Sequence, residues 1–194
     1  MNKIDFEYYE NTLEIFDFLE DNDWSVFLCS NYESFSTEKY DIISCCPIKK
    51  VIAYQNATIV EFNGSKKVYR GDPIDVLQKV MKASFSDDYA DLPFSGGAIG
   101  YFSYDLGNKY ESVKPAGTDK DNIPIMAFGI YDWSIIIDHE RKKSILVYTT
   151  ENRLIKKIIK RFKEKNFASQ REGRYSINSQ RTSNLSYEEY VEKF

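Results

Sequence analysis

Leu92-Pro93-Phe94-Ser95-Gly96-Gly97-Ala98-Ile99-Gly100-Tyr101-Phe102-Ser103-Tyr104-Asp105-Leu106-Gly107 is the stretch on which the reading of this chain turns. Three glycines stand around two small apolar residues and run straight into aromatics. Glycine has no Cβ, so this pattern suits a place where backbone lies close against backbone or against a ligand. A phosphate cradle would need a lysine and a helix N-terminus directly behind it, and neither follows. Gly96, Gly97 and Gly100 are therefore read as a structural crossing of strands.

Working outward, the segments 125–138 and 144–150 are rich in isoleucine, valine and aromatics and flank a charged turn, as two paired strands would. Upstream, 57–62 and 66–70 flank Asn63-Gly64, a dipeptide that accepts positive φ and closes a hairpin. Asp72-Pro73 opens a helix reaching about Ala83, with Asp72 as cap and Pro73 in the first turn. Trp24–Cys29 reads as a strand, and 40–54 as extended chain bent at Pro47. Helices are expected over 10–21, through Leu13, Phe16, Phe18 and Leu19, and over 151–165, through Leu154, Ile155, Ile158, Ile159 and Phe162. Hairpin signals without a regular βαβ alternation give an α+β fold with mostly antiparallel pairing.

The chain has 194 residues, of which 42% are hydrophobic and 15% aromatic, enough to bury a core. Its formal charge is −4, which disfavours a dedicated nucleic-acid binder. Mean hydropathy is −0.49, and no apolar run approaches the roughly 20 residues of a bilayer helix. The start is acidic and has no signal-peptide pattern. The cysteines are Cys29, Cys45 and Cys46, an odd set that makes no disulfide framework. A reducing, cytoplasmic location is expected.

Catalytic motifs are missing. There is no metal-ligand spacing, no GxSxG, no P-loop and no GxGxxG. The single histidine, His139, falls in the turn Asp138-His139-Glu140-Arg141 and is read as solvated. Cys45 and Cys46, taken as strand neighbours, should point to opposite faces as small buried hydrophobes. The basic face of the 151–165 helix (Arg153, Lys156, Lys157, Lys160, Arg161) is read as solvated, with nucleic-acid contact the minor alternative. The segment 30–40, SNYESFSTEKY, carries hydroxyls and aromatics suited equally to a small-molecule pocket and to a surface loop. Near the end, Ser186-Tyr187-Glu188-Glu189 is a capping box, so a helix should begin at Tyr187, with an apolar stripe on Tyr187, Tyr190, Val191 and Phe194.

The 92–107 stretch, together with Ile130-Tyr131-Asp132-Trp133 and Ile137-Asp138-His139, resembles the N-terminal region of aminodeoxychorismate synthase component I, a relative of anthranilate synthase component I. Phe27-Leu28-Cys29-Ser30, Tyr40-Asp41-Ile42 and 184–194 fit the same pattern, so the likeness spans nearly the whole chain. It implies two antiparallel sheets packed face to face with flanking helices, the glycines letting strands cross. It implies a domain over 1–170, a polar linker over 171–185, and over 186–194 the start of the first helix of a C-terminal catalytic domain that this chain lacks. The implied activity of the whole subunit is amination of chorismate by ammonia to 4-amino-4-deoxychorismate, on the route to p-aminobenzoate and folate. A glutamine amidotransferase subunit would supply the ammonia. Magnesium belongs to the parent enzyme's catalytic domain, so this portion should hold no catalytic residue, metal or cofactor and be inactive alone. The resemblance further places Ser30 and Tyr40 in a tryptophan pocket, although Glu38 and Lys39 stand where relatives often carry serine and arginine. The alternatives are the anthranilate branch and a stand-alone tryptophan- or amino-acid-binding module. No membrane or nucleic-acid partner is implied.

Overall fold

The computed structural model describes residues 1–30, 40–85, 92–111, 122–167 and 186–193. Its elements run β1 (Asn2–Glu7), α1 (Thr12–Leu19), β2 (Val26–Leu28), β3 (Tyr40–Ser44), β4 (Lys49–Ala53), β5 (Thr58–Phe62), β6 (Ser65–Tyr69), α2 (Pro73–Lys82) and β7 (Gly97–Phe102). A 3-10 turn over Tyr104–Lys109 follows, then β8 (Met126–Tyr131), β9 (Trp133–Asp138), β10 (Lys143–Tyr148), α3 (Arg153–Glu164) and α4 (Tyr187–Lys193). The strands form two five-stranded sheets, β1-β10-β9-β3-β2 and β6-β5-β4-β8-β7. Every pairing in both is antiparallel. The α+β architecture is the expected one.

No strand is expected from sequence at the N-terminus, yet β1 pairs with β10 along its whole length, Asn2 opposite Tyr148 to Glu7 opposite Lys143. The alternation that builds it is legible: Ile4 and Phe6 face the core while Lys3, Asp5 and Glu7 face water. Behind this first sheet lie α1 and α3. Ile15 and Leu19 of α1 and Ile155, Ile158 and Phe162 of α3 meet Ile43, Ile135, Ile137 and Leu146 of the strands. Each such side chain removed from water contributes about 1.5–3 kcal/mol, an upper figure. Phe6 stacks on Phe162 at 4.5 Å between centroids. In α1 the buried stripe is Thr12, Ile15 and Leu19, and the expected Leu13 points outward, 60% exposed.

The second sheet packs Val51, Ala53, Val60, Met126, Phe128 and Ile130 against Val76 and Leu77 of α2. Asp72 caps α2 as expected, accepting from the backbone N–H of Ile74 at 2.7 Å and of Asp75 at 3.1 Å. The β5–β6 hairpin turns on Asn63 (φ 48°) and Gly64 (φ 75°), the positive angles its sequence implies.

The long strand expected over 125–138 is instead two strands in different sheets, broken at Asp132. The extended segment 40–54 breaks in the same way between β3 and β4. Because β3 pairs with β9 and β4 with β8, the two breaks face each other and form a corner common to both sheets. Trp133 Nε1 donates to Cys45 O (2.9 Å), Ser44 Oγ to Trp133 O (2.8 Å) and Ile48 N to Ile130 O (2.8 Å), which lock the corner.

The linker expected over 171–185 lies outside the described residues. α4 begins at Tyr187, where the capping pattern puts it, with Tyr187, Tyr190 and Val191 each more than half exposed.

Candidate functional site

Of Ser30 and Tyr40, assigned above to a ligand pocket, Ser30 is held by the side chain of Asp41, while Tyr40 lies on the other face of the first sheet. Asp41 sits on β3 opposite Ile137 and is 2% exposed. One of its oxygens, Oδ1, accepts from Ser30 N at 2.7 Å and from Ser30 Oγ at 3.0 Å. The other, Oδ2, lies 3.1 Å from His139 Nε2. His139 Nδ1 in turn lies 2.9 Å from the Tyr8 hydroxyl. An ionised carboxylate only accepts, so Nε2 carries the hydrogen of this bond. The result is a hydrogen-bonded chain Ser30–Asp41–His139–Tyr8 drawn from four separate segments.

This corrects the reading of His139 as a solvated turn residue. It is 8% exposed, directly after a strand whose six residues are all buried. The turn after it is held by Arg141 N donating to Asp138 Oδ1 at 2.8 Å. Lys142 Nζ sits 4.5 Å above the Tyr8 ring, a cation–π contact over the outer end of the chain. Asp41, His139 and Tyr8 were not singled out as site residues from sequence. The available signal was a carboxylate in an apolar strand and a histidine directly after one, positions where water is excluded and a polar group needs a partner.

Tyr40 opens β3, is half-buried, and packs with Leu92 on the face of the first sheet formed by Ile136, Ile145 and Val147. That face is opposite to the one under α1 and α3. Residues 31–39, including Glu38 and Lys39, lie outside the described residues.

At the glycine stretch, Gly96 and Gly97 have φ of 132° and 152°, which side-chain-bearing residues rarely adopt. Gly100 sits where a Cβ would fall 2.0 Å from Ala127 O and 2.7 Å from Phe128 Cα. β7 and β8 are antiparallel neighbours, Gly100 opposite Phe128, and at this point their backbones leave no room for a side chain. Beside it is an apolar groove of about 400 Å³ lined by aromatics that include Trp24, Tyr54, Tyr101 and Tyr131. Tyr131 is fully buried and its hydroxyl donates to Trp24 O at 2.8 Å. Burial is the main cause that pushes its phenol well above the ordinary range.

The cysteine reading needs correction too. β3 stops at Ser44, so Cys45 and Cys46 lie in the corner and not in a strand. Cys45 is fully buried, and burial is the first cause raising its thiol far above the usual value. Cys46 is exposed with φ 53°. The basic side chains Arg153, Lys156, Lys157 and Lys160 face water, and Arg161 lies against the Phe18 ring at 5.1 Å. Among the described residues no three His, Cys, Asp or Glu side chains gather to hold a metal ion, and no helix is long and apolar enough to cross a membrane.

Two antiparallel five-stranded sheets sharing a corner, backed by helices and ending in the glycine-rich strand β7, define an α+β domain of the kind found in chorismate-using synthases. The fold is that of anthranilate synthase component I from Streptococcus pneumoniae, with a TM-score of 0.54 at 23% identity over 81% of this chain and 35% of that one. The family model described as chorismate binding enzyme matches residues 29–194, and the chain belongs to that family. Aminodeoxychorismate synthase component 1 of Escherichia coli is 32% identical over 173 residues, 88% of this chain and 37% of that protein. Anthranilate synthase component 1 of Acetivibrio thermocellus is 35% identical over 107 residues, 54% of this chain and 22% of that protein. The chain thus spans well under half the length of these relatives.

Proposed function

We propose that this chain is the N-terminal domain of the chorismate-aminating subunit that makes 4-amino-4-deoxychorismate from chorismate and ammonia, for p-aminobenzoate and folate synthesis. The observation that carries the proposal is the alignment with the Escherichia coli aminodeoxychorismate synthase component, which runs through 88% of this chain. Alone, the chain is inactive. Its role is to build the two-sheet scaffold against which its own C-terminal catalytic domain folds in the cytoplasm, with a glutamine amidotransferase subunit as ammonia source.

Magnesium, which anchors chorismate in the whole subunit, is placed by this reading in the C-terminal domain. The described residues provide no cluster of carboxylates or imidazoles for it, and no step is derived through the metal. What this chain's residues do is positional: Asp41 fixes Ser30, His139 fixes Asp41, and Gly100 lets β7 pair beside β8.

The test is an amination assay with chorismate, ammonium and magnesium. The 194-residue chain should form no product. Fused in frame to the remainder of the Escherichia coli relative, it should form 4-amino-4-deoxychorismate. A folded fusion with no product, or turnover by the chain alone, would overturn the reading. A second reading, amino-acid binding at Ser30 and Tyr40, is favoured by the anchoring of Ser30 on a buried carboxylate. Calorimetry with L-tryptophan decides it: no heat at millimolar ligand rejects the pocket.

A further inference from the structure

Between the β5–β6 hairpin and α2 a cleft of about 570 Å³ remains open, within the ordinary range for small-molecule sites. Its wall is apolar and partly aromatic: Val60, Phe62, Tyr69, Val76 and Val80. Lys49, Lys67, Arg70 and Lys79 stand around it. None of these four pairs with a carboxylate among the described residues. Lys66, also on the rim, is neutralised by Glu61 at 2.6 Å. The two carboxylates of the lining are Asp72, occupied in capping α2, and Asp75 on the helix's first turn.

Lys49 is the telling residue. Its Nζ is fixed at 2.9 Å from Ser84 Oγ, and Ser84 Oγ is itself tied to Val80 O at 2.7 Å. That arrangement holds the ammonium 5.5 Å from the centroid of the Phe62 ring, half-buried, on a neutral partner. A cation held in place over an aromatic wall without a counter-charge is arranged for an anion that carries its own apolar body. The local cation excess is the more notable in a chain of net charge −4.

We propose that this cleft binds a small aryl carboxylate, its ring against Phe62 and Tyr69 and its carboxylate on Lys49, with Arg70 and Lys79 completing the cationic rim. The site is separate from Ser30 and from the corner, and does not rest on the function proposed above.

The experiment titrates the full chain with 2-naphthoate and, as neutral counterpart, 2-naphthalenemethanol, following amide shifts by NMR and heat by calorimetry. The naphthoate should saturate with submillimolar affinity, move the amides of Val60, Phe62, Val76 and Lys79, and bind about tenfold or more tightly than the alcohol. Lys49→Gln should remove most of that preference. Lys79→Glu, on an exposed helix position, should weaken the acid and leave the alcohol unchanged, with an unaltered far-UV spectrum as the folding control. Equal affinity for acid and alcohol, shifts confined to the Trp24–Tyr101 groove, or no saturable binding would each overturn the proposal.

Discussion

His139 Nε2 and Asp41 Oδ2 stand 3.1 Å apart, Asp41 on β3 and His139 directly after its partner β9, both nearly closed off from solvent. The two residues are 98 apart in sequence by the difference of their numbers, and β3–β9 pairing is what joins them. Through the other oxygen of Asp41 the contact reaches the backbone of Ser30, at the exit of β2. One carboxylate therefore ties the end of an edge strand to the centre of the sheet.

Asp41→Ala should destabilise the protein by about 3 kcal/mol, because it removes the carboxylate that accepts from Ser30 N–H, Ser30 Oγ–H and His139 Nε2–H at a part-buried site. Urea denaturation measures it. His139→Gln should cost less, about 1–2 kcal/mol, since Asp41 keeps both of its Ser30 bonds. The double variant should show a coupling energy of at least about 0.5 kcal/mol. Strict additivity would mean that the contact carries no interaction energy.

The parts of the fold that were legible in sequence are those set by local chemistry. Asn63-Gly64 permits only a few turn geometries, Asp72-Pro73 satisfies free amides within one turn, and the 3.6-residue stripe of α3 points one way whatever lies opposite. What was not legible depends on partners distant in sequence. Asp132 divides an apolar run that reads as one strand, and only the bend facing it at Cys45 explains why. His139 looks like a turn tip until Tyr8 and Asp41 are placed around it. Leu13 fits a helical stripe as well as Ile15 does, and the angle at which α1 meets the first sheet chooses between them. Ser30 and Tyr40 carry no spacing signal for a pocket; the family resemblance implies them, and the structure holds Ser30 on Asp41 while Tyr40 packs on the opposite face of the sheet.

Gly100→Ala should be among the most destabilising small changes in the chain, at least about 2–3 kcal/mol, because the atoms a methyl would strike are backbone atoms of β8 and not movable side chains. Gly107→Ala provides the contrast. Nothing lies within 4 Å of the place its methyl would take, so stability should change by no more than about 0.5 kcal/mol. Thermal melts of the two variants side by side separate a glycine required by contact from one that is not.

Asp72 and Tyr110 set limits at both ends of the pH range. The Tyr110 hydroxyl beside Asp72, with the capped amides of Asp75 and Ile74, holds the Asp72 carboxyl below its ordinary value against a smaller effect of burial. A lowered acid gives stability that is present above the unfolded-state value and is lost as pH falls through the folded one. Tyr110 is pushed up to about 12, first by burial and then by Asp72. Its contribution is complete below the unfolded-state value and is lost as pH rises through about 12. Asp72→Asn should keep much of the cap while flattening both limbs of the stability profile. Asp72→Ala should also lose the cap, about 1 kcal/mol at neutral pH. Tm measured across pH distinguishes the two substitutions.

Asp132 presents the opposite sign. It stands at the corner where β8 passes into β9, its carbonyl taken by Thr149 N at 3.0 Å and Thr149 Oγ1 at 3.2 Å. Its carboxyl is raised by burial, and only its own backbone amide acts the other way. The folded state therefore holds the proton more tightly than the unfolded chain, and stability falls as pH climbs from the ordinary aspartate value through the raised one. Asn keeps the shape and removes the charge. Asp132→Asn should raise Tm at pH 7, and the gain should shrink towards zero as pH falls below about 4, where both states carry the proton. A lower Tm at neutral pH would mean that the charged carboxylate makes a favourable contact in the folded chain that outweighs its burial.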